Sequence, residues 1–379
     1  MLYKMSILNP KSFSFLILLK YLATLVKNSI LFTQLTRALM NEVTLKQIAE
    51  NLGISVTTVS KALKDYKDVS KETKALVRAE AKALNYKPNV FAVNLRTKES
   101  KTVGLIIPEV VHHFFSSVIN GIINEAEKHG YLVIILQSNE SEELERKQVD
   151  LLLSKRVDGI MMSLANTTVS VDHITAIKRA NTPLVMFDKI SKLITCSKVV
   201  INDRQAAYEA TKFLIDKGCK RIAHFRGALL PQNSIDRFLG YKKALEDHGL
   251  TFDPKLVYIC EKVDYEDGRA AAKQLLADGH KIDGLFAITD MAATGALTVF
   301  KEHGILVPED IALMGFSNWF LSQAITPALS TVDQPGLKMG RKAFKLLRKE
   351  MRAKKLGEVF VPVTKTLETK VIERDSTPK

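Results

Sequence analysis

The stretch VTLKQIAENLGISVTTVSKALKDYKDVSKETKALVRAEAKALNYKPNVFAVNLRTK, residues 43–98, decides how this chain is read. Leu45, Ile48 and Ala49 recur at i, i+3, i+4 and give a first helix one apolar face. Ala49 is small where a second helix must cross closely. Gly53 stands at the turn, where a left-handed backbone is cheap only for glycine. Ser55 can cap the next helix, whose inner side is Val59, Ala62 and Leu63. Val56, Thr57, Ser60 and Lys61 are then left pointing outward near its N-terminal half. A third helix opens at Ser70 and runs to Asn85, with Ala75, Val77, Ala81 and Leu84 as inner residues. Pro88 ends it, because the residue before a proline is pushed out of helical geometry. Asn89 can cap a short helix from Val90 to about Arg96. This order is a helix-turn-helix, in which outward residues of the second helix meet base edges and phosphates. Thr and Val suit the thymine methyl, and Lys reaches guanine O6 and N7.

The run VTLKQIAENLGISVTTVSKAL…VSKETK…LNYKPNVFAVNLRTK resembles the lactose-repressor/galactose-repressor (LacI/GalR) family of bacterial transcription factors, over roughly residues 42–375. The resemblance implies a homodimer that reads a pseudo-palindromic operator and answers to a small molecule. It implies DNA contacts from Thr44, Ser55, Val56, Thr57, Thr58, Ser60 and Lys61, with Val56, Thr57 and Lys61 as base readers. The segment after Pro88 matches the hinge helix, so Asn89, Ala92 and Leu95 face the minor groove. Leu95 matches the leucine that wedges between base pairs and kinks the duplex. Ala92 and Leu95 share an i, i+3 face.

Charge agrees with a nucleic-acid partner. The formal net charge is +14, with five Lys/Arg and no acid in residues 1–40 and eleven against seven in 41–99. The positive excess therefore gathers in the N-terminal quarter, where phosphates would be met. Cys196, Cys219 and Cys260 form neither CxxC nor metal-ligand spacing, which points to a reducing compartment, the cytoplasm, without a disulfide frame. No metal or cofactor is expected. The P-loop, HExxH, GxSxG and dinucleotide glycine signatures are missing, and Pro108-Glu109 follows the first core strand instead. These gaps argue against an enzyme.

Residues 1–40 pose a separate question. Lys4 and Lys11 precede SFLILLKYLATLV, which reads as a signal-peptide core but is too short and too charged to span a bilayer. A secreted solute-binding protein would account for this segment and for two lobes, but not for residues 43–98. A membrane-tethered regulator is the third alternative. Met40-Asn41-Glu42-Val43 fits the start usual in the resembled family, so Met40 is expected as the initiator.

From Lys101 onward short apolar runs alternate with helical stretches. TVGLIIP, YLVIILQ, VDGIMMSL and PLVMFDK form one series, and RIAHFRG, LVYIC, GLFAIT and IALMGFS a second. The intervening helices fall at Phe114–Gly130, Glu142–Lys155 and Asp172–Asn181, then near Asp203–Gly218, Asp236–Gly249, Tyr265–Asp278 and Met291–Gly304. The fold expected is an all-α helix-turn-helix headpiece plus an α/β core of two doubly wound parallel sheets, like a type I periplasmic-binding protein. The domains are a 1–40 extension, a 41–87 headpiece, an 88–99 hinge and a 100–375 core that binds the effector and dimerises. By the resemblance, the chain crosses between lobes near Asn202, Asp333 and Phe360, giving an N-terminal lobe of 101–201 plus 334–360.

A ligand would sit between the lobes, at the carboxyl ends of the strands. The resemblance assigns the cleft to Phe114, Phe115, Asp188, Asn233, Arg237, Thr289, Asp290, Ser317 and Trp319. Phe114 and Phe115 can wall a sugar ring or a base, or begin the core side of their helix. His112 and His113 read as a solvated turn rather than a metal pair. Asp188 can accept from hydroxyls, and the Arg237 guanidinium offers a rigid fork of donors. Where the family commonly ends a strand in Gly-Tyr/Phe-Asp, this chain has Gly315-Phe316-Ser317, with its single Trp319 nearby. A sugar or sugar derivative is the expected effector. The short tail after Arg374 lacks leucine heptads, so a dimer is expected rather than a tetramer.

Overall fold

A computed structural model describes residues 43–86 and 99–378, which fall in two separate compact units. Residues 1–42 and 87–98 lie outside the described residues, and with them Met40, Asn89, Ala92 and Leu95.

The first unit holds three helices, α1 (Leu45–Leu52), α2 (Val56–Leu63) and α3 (Lys71–Ala83). Each starts on a hydroxyl cap. Thr44 and Gln47 form a reciprocal capping box, Ser55 accepts from the Thr58 amide, and Ser70 from the Thr73 amide. Gly53 ends α1 at φ 63°, in the left-handed region. Ile48, Ala49, Val59, Ala62, Val77 and Ala81 form the core. Ala75 is exposed, contrary to its expected inward placement. The inner face of α3 runs Val77, Ala81, Leu84, and a residue two positions earlier sits about 200° around the helix.

The second unit carries two parallel sheets. In the N-terminal lobe, β1 (Thr102–Ile107), β2 (Leu132–Gln137), β3 (Gly159–Met162), β4 (Leu184–Phe187) and β5 (Ser197–Ile201) alternate with α4 (His113–Glu127), α5 (Glu142–Ser154) and α6 (Asp172–Arg179). In the C-terminal lobe, α7 (Asp203–Asp216), β6 (Ile222–Gly227), α8 (Gln232–Asp247), β7 (Val257–Cys260), α9 (Tyr265–Ala277), β8 (Gly284–Ala287), α10 (Asp290–Glu302) and β9 (Ala312–Met314) follow. Last come β10 (Thr331–Asp333), α11 (Gly336–Leu356), β11 (Thr364–Leu367) and β12 (Lys370–Ile372). Strand order is β11-β5-β4-β3-β1-β2 in one sheet and β7-β6-β8-β9 in the other, with β10 and β12 paired antiparallel. β3, β4 and β8 are buried along their whole length, as parallel strands covered on both faces must be.

Two expectations shift. The third crossing between lobes comes after β11, at 368–369, not near Phe360. Thr364 to Leu367 pair in register with Lys198 to Ile201, so the N-terminal lobe regains the chain for one more strand. The helix expected from Asp236 begins at Gln232, behind Pro231, whose ring suits the position just before a helix. Among the described residues, no helix is long and apolar enough to cross a membrane.

Candidate DNA-reading face and candidate effector cleft

On α2, Val59 and Ala62 are buried, while Val56 is 43 % exposed and Thr57 lies beside it on the open side. Leu45, Val56, Thr57, Ser60, Lys61, Lys64 and Tyr66 line one shallow depression. Of the seven DNA residues singled out in the sequence that fall among the described residues, four, Val56, Thr57, Ser60 and Lys61, thus share a face. Ser55 and Thr58 are occupied differently: their hydroxyls lie 2.8 Å apart and Ser55 Oγ caps the helix. Thr44 likewise serves as the cap of α1. Lys61 Nζ pairs with Asp68 at 2.5 Å, both groups well exposed. Such a pair is worth little in water, so phosphate or base atoms can displace it.

The cleft between the lobes holds about 750 Å³ of space, part of it open solvent, and is lined from both sides. Phe114 and Phe115 form one wall, 5.3 Å apart and edge to face, and they also belong to the lobe's core. Asp188, Asn233, Arg237, Thr289, Ser317 and Trp319 join them. The strand ends that supply these groups bend through left-handed backbone at Glu140 (φ 56°), Asp188 (φ 55°), Val263 (φ 54°) and Ser317 (φ 106°). For the β-branched Val263 this is a strained state, and strain of this sort gathers at ligand sites.

Arg237 is fixed before any ligand arrives. Its Nε donates to Asp203 Oδ1 at 2.8 Å, its Nη1 donates to the Ile288 carbonyl at 3.1 Å, and its guanidinium lies 3.7 Å from the Phe316 ring centre. Burial pushes the Asp203 carboxyl up to about 7 even against the pull of Arg237. Burial also raises Asp188, opposed by Arg237, Lys189 and the bond that Gln334 Nε2 donates at 3.1 Å.

Asp290 does not line the cleft, contrary to the expectation. It is fully buried and accepts from the Trp319 amide at 2.6 Å, Ser322 Oγ at 2.8 Å and Thr331 Oγ1 at 2.6 Å. Its oxygens are used in holding the loop that brings Trp319 to the cleft. A Cβ on Gly315 would come within 2.2 Å of Asp290 Oδ1, so glycine alone fits beneath the carboxylate. Thr289 reaches the cleft, but its hydroxyl already donates to the Val263 carbonyl and accepts from the Ala292 amide. His112 and His113 are not a solvated turn: both line the cleft, and burial lowers the pKa of each. Among the described residues no three ligands gather to hold a metal.

The sequence reading missed Glu140, Asn166, Lys189, Ser234 and Gln334. Lys189 Nζ bridges Glu140 Oε1 and Asn166 Oδ1, both at 2.5 Å. Lys189 directly follows Asp188, and Ser234 follows Asn233, so adjacency was the available signal. Ser234 is 3 % exposed, and its Oγ has no hydrogen-bond partner.

The family described as "Bacterial regulatory proteins, lacI family" matches residues 44–89, and "Periplasmic binding proteins and sugar binding domain of LacI family" matches residues 100–364. The chain is similar to the HTH-type transcriptional repressor CytR of Escherichia coli (strain K12), 33% identical over 83% of this chain and 91% of that one. It is similar to catabolite control protein A of Priestia megaterium, 32% identical over 86% of this chain and 98% of that one. Among solved structures it is similar to a complex of the transcriptional regulator CelR with cellobiose, with a TM-score of 0.67, 27% identity, and 88% and 99% of the two chains covered.

Proposed function

This chain belongs to the lacI family of bacterial regulatory proteins, DNA-binding regulators with a small-molecule domain, and from that premise we propose how its own residues divide the work. It is a homodimeric repressor whose Val56, Thr57 and Lys61 read an operator half-site. Leu95 wedges the minor groove, and Asn89 and Ala92 support it. A neutral sugar or sugar derivative binds between the lobes and changes operator affinity.

One observation carries the ligand reading: the charges in the cleft balance. Glu140 and Asp188 face Lys189 and Arg237, and Phe114, Phe115 and Trp319 supply flat apolar surface. A balanced set of fixed donors and acceptors beside aromatic walls suits a ring carrying several hydroxyls. An acidic ligand would have to displace Glu140 from Lys189 or Asp203 from Arg237. Similarity to a cellobiose-bound regulator supports the same class.

Coupling follows from the connections. The chain passes three times between lobes, so ligand-driven closure moves the N-terminal lobe relative to the C-terminal one. That movement reaches residue 99, where the DNA-binding segment joins. Coupling of this type is worth about 1–3 kcal/mol between two sites. Genome-wide occupancy of the full chain, with and without a panel of neutral sugars, tests the reading. Peaks over a shared palindrome that one sugar shifts are expected. Peaks that no sugar shifts, but an acid or nucleobase does, would overturn the ligand class.

A further inference from the structure

We propose that the N-terminal lobe carries a second DNA-contacting surface, a basic groove that holds the sugar-phosphate backbone of duplex flanking the operator. The inference rests on the reading of the chain as a DNA-binding regulator.

The groove lies at the amino ends of β1 to β4, opposite the strand ends that line the effector cleft. Lys101 and Asp158 immediately precede β1 and β3 there, and Thr182 lies just before β4. It is a broad groove of about 1920 Å³, part of it open solvent. Its charged rim is Lys101, Arg156, Arg348, Arg352, Lys354 and Lys355, against Glu99 and Asp158 alone. Both acids are occupied. Asp158 accepts from the Ser100 and Lys101 amides at 2.7 and 3.0 Å, which ties down the start of the lobe. Glu99 pairs with Lys355 at 2.5 Å and Lys101 at 3.4 Å. Arg156, Arg348 and Arg352 are exposed and have no ion pair among the described residues.

The cationic surface continues along α11. Lys338, Arg341, Lys342, Lys345 and Lys349 are all exposed on it, while Glu350 is its single acid. Arg156 and Lys101 add a second signal. Each is held at positive φ, 53° and 52°, where glycine is the inexpensive residue, yet each position carries a long cationic side chain.

Charge alone fits any polyanion, and chain connectivity selects DNA. Glu99 lines the groove, and thirteen residue steps separate it from Tyr86 at the end of the helix-turn-helix unit. A fully extended chain gains at most about 3.6 Å per residue, so the tether between Tyr86 and Glu99 can be no longer than roughly 47 Å. A tether of that length raises the effective concentration of duplex at the groove once the helix-turn-helix has bound. Guanidinium groups pair with phosphate through two parallel donors, which suits the three unpaired arginines.

The test uses the full chain and an operator recovered by selection from a random duplex pool, embedded in a 20-bp or a 60-bp duplex. The variants are Arg348→Gln/Arg352→Gln and, separately, Arg156→Gln. On the long duplex the double variant should bind at least about fivefold more weakly, with a salt slope shallower by about two. On the short duplex both variants should match the parent within about twofold. Equal parent affinity for both lengths, or variants that track the parent on both, would overturn the proposal. Loss of poly-glutamate binding with no loss on the long duplex would instead assign the groove to an acidic protein. Failure of the parent on the short duplex would count against the helix-turn-helix reading itself, which the flank comparison leaves separately visible.

Discussion

Asn166 Nδ2 donates to the Glu261 carbonyl at 2.9 Å, from the N-terminal lobe to the C-terminal lobe. The same side chain accepts from Lys189, a cleft residue, through its Oδ1. Its loop is held by α5 and the residues just before it: Glu145 Oε2 accepts from the Ala165 amide and Glu140 Oε2 from the Asn166 amide. A group that binds Lys189 would therefore act on a side chain that joins the two lobes. One hydrogen bond of this kind contributes about 0.5–1.5 kcal/mol. Asn166→Ala should raise the effector concentration for half-response about fivefold while leaving ligand-free operator binding unchanged. A dose-response titration measures it, and an unchanged midpoint would remove the bond from closure.

Arg237→Ala should have two effects that a second change separates. The ligand loses its fixed fork of donors, and Asp203 is left buried without its cation. Breaking a buried pair from one side costs about 3–5 kcal/mol. The single variant should thus lose ligand response and melt much earlier. Adding Asp203→Asn should recover most of the stability, because an amide tolerates the site without a charge, but none of the ligand binding. Recovery of both would place Arg237 in the scaffold only.

Ser234→Ala makes the opposite pattern. The Ser234 hydroxyl is buried beside the cleft without a partner, so its loss removes a cost rather than a bond. Melting temperature should hold or rise slightly, while ligand affinity falls about threefold to tenfold. Calorimetric titration with the effector reads the affinity, and an unaltered value would mean the hydroxyl faces away from the ligand.

The contrast between these residues shows what the sequence could carry. Strands such as VDGIMMSL and LVMF were legible because both faces of a parallel strand are apolar, and two helix starts because Ser55 and Ser70 stand three residues before the amides they accept from, whereas the Thr44 cap of α1 was read only as a DNA contact. Asp188 and Arg237 were legible through the resemblance. Asn166 was not, since 23 positions separate it from Lys189 and only the folded β3 and β4 ends bring the two together. Asp290 was misplaced for a related reason. Its neighbour Thr289 does reach the cleft, and nothing local announces that Trp319, Ser322 and Thr331, 29 to 41 positions away, converge on the carboxylate. β11 escaped notice because its exposed, polar TKTL offers no apolar run.

His224 gives the chain an acid limb. It is fully buried, stacks on Tyr241 and Phe286 with ring centres 4.8 and 4.9 Å away, and its Nδ1 lies 2.9 Å from the Phe286 carbonyl. Burial pushes its pKa down to about 3, against about 6.5 when unfolded. Between those values the unfolded chain binds the extra proton, so stability falls as pH drops through that window and is retained above it. From pH 7.5 to 5 this group alone should remove about 2 kcal/mol. Urea midpoints at the two pH values should converge in His224→Phe, which keeps the stacked ring and cannot titrate. An equally steep loss in that variant would assign the acid limb to other groups.

Asp68 restrains Lys61 on α2, the helix proposed to read DNA. Its carboxylate holds Lys61 at 2.5 Å, and the two charges lower one pKa and raise the other. Both side chains are exposed, so the pair adds little to folding, and its consequence is for binding. To reach a guanine or a phosphate, Lys61 must leave Asp68, and the carboxylate then stands near the incoming polyanion. Asp68→Asn removes both costs. Affinity for non-specific duplex should rise severalfold at low salt. Specific affinity should rise by less, because Thr57 and Val56 contacts do not involve Asp68. The ratio of specific to non-specific binding therefore falls. Lys61→Ala supplies the other half of the argument. If Lys61 reads a base, its removal costs about 1–3 kcal/mol at one operator position and relaxes the preference there. If it meets only phosphate, every sequence weakens alike and the salt slope drops by about one. Binding of both variants to a set of single-base operator substitutions separates these outcomes. A uniform loss in Lys61→Ala would leave base reading to Val56 and Thr57.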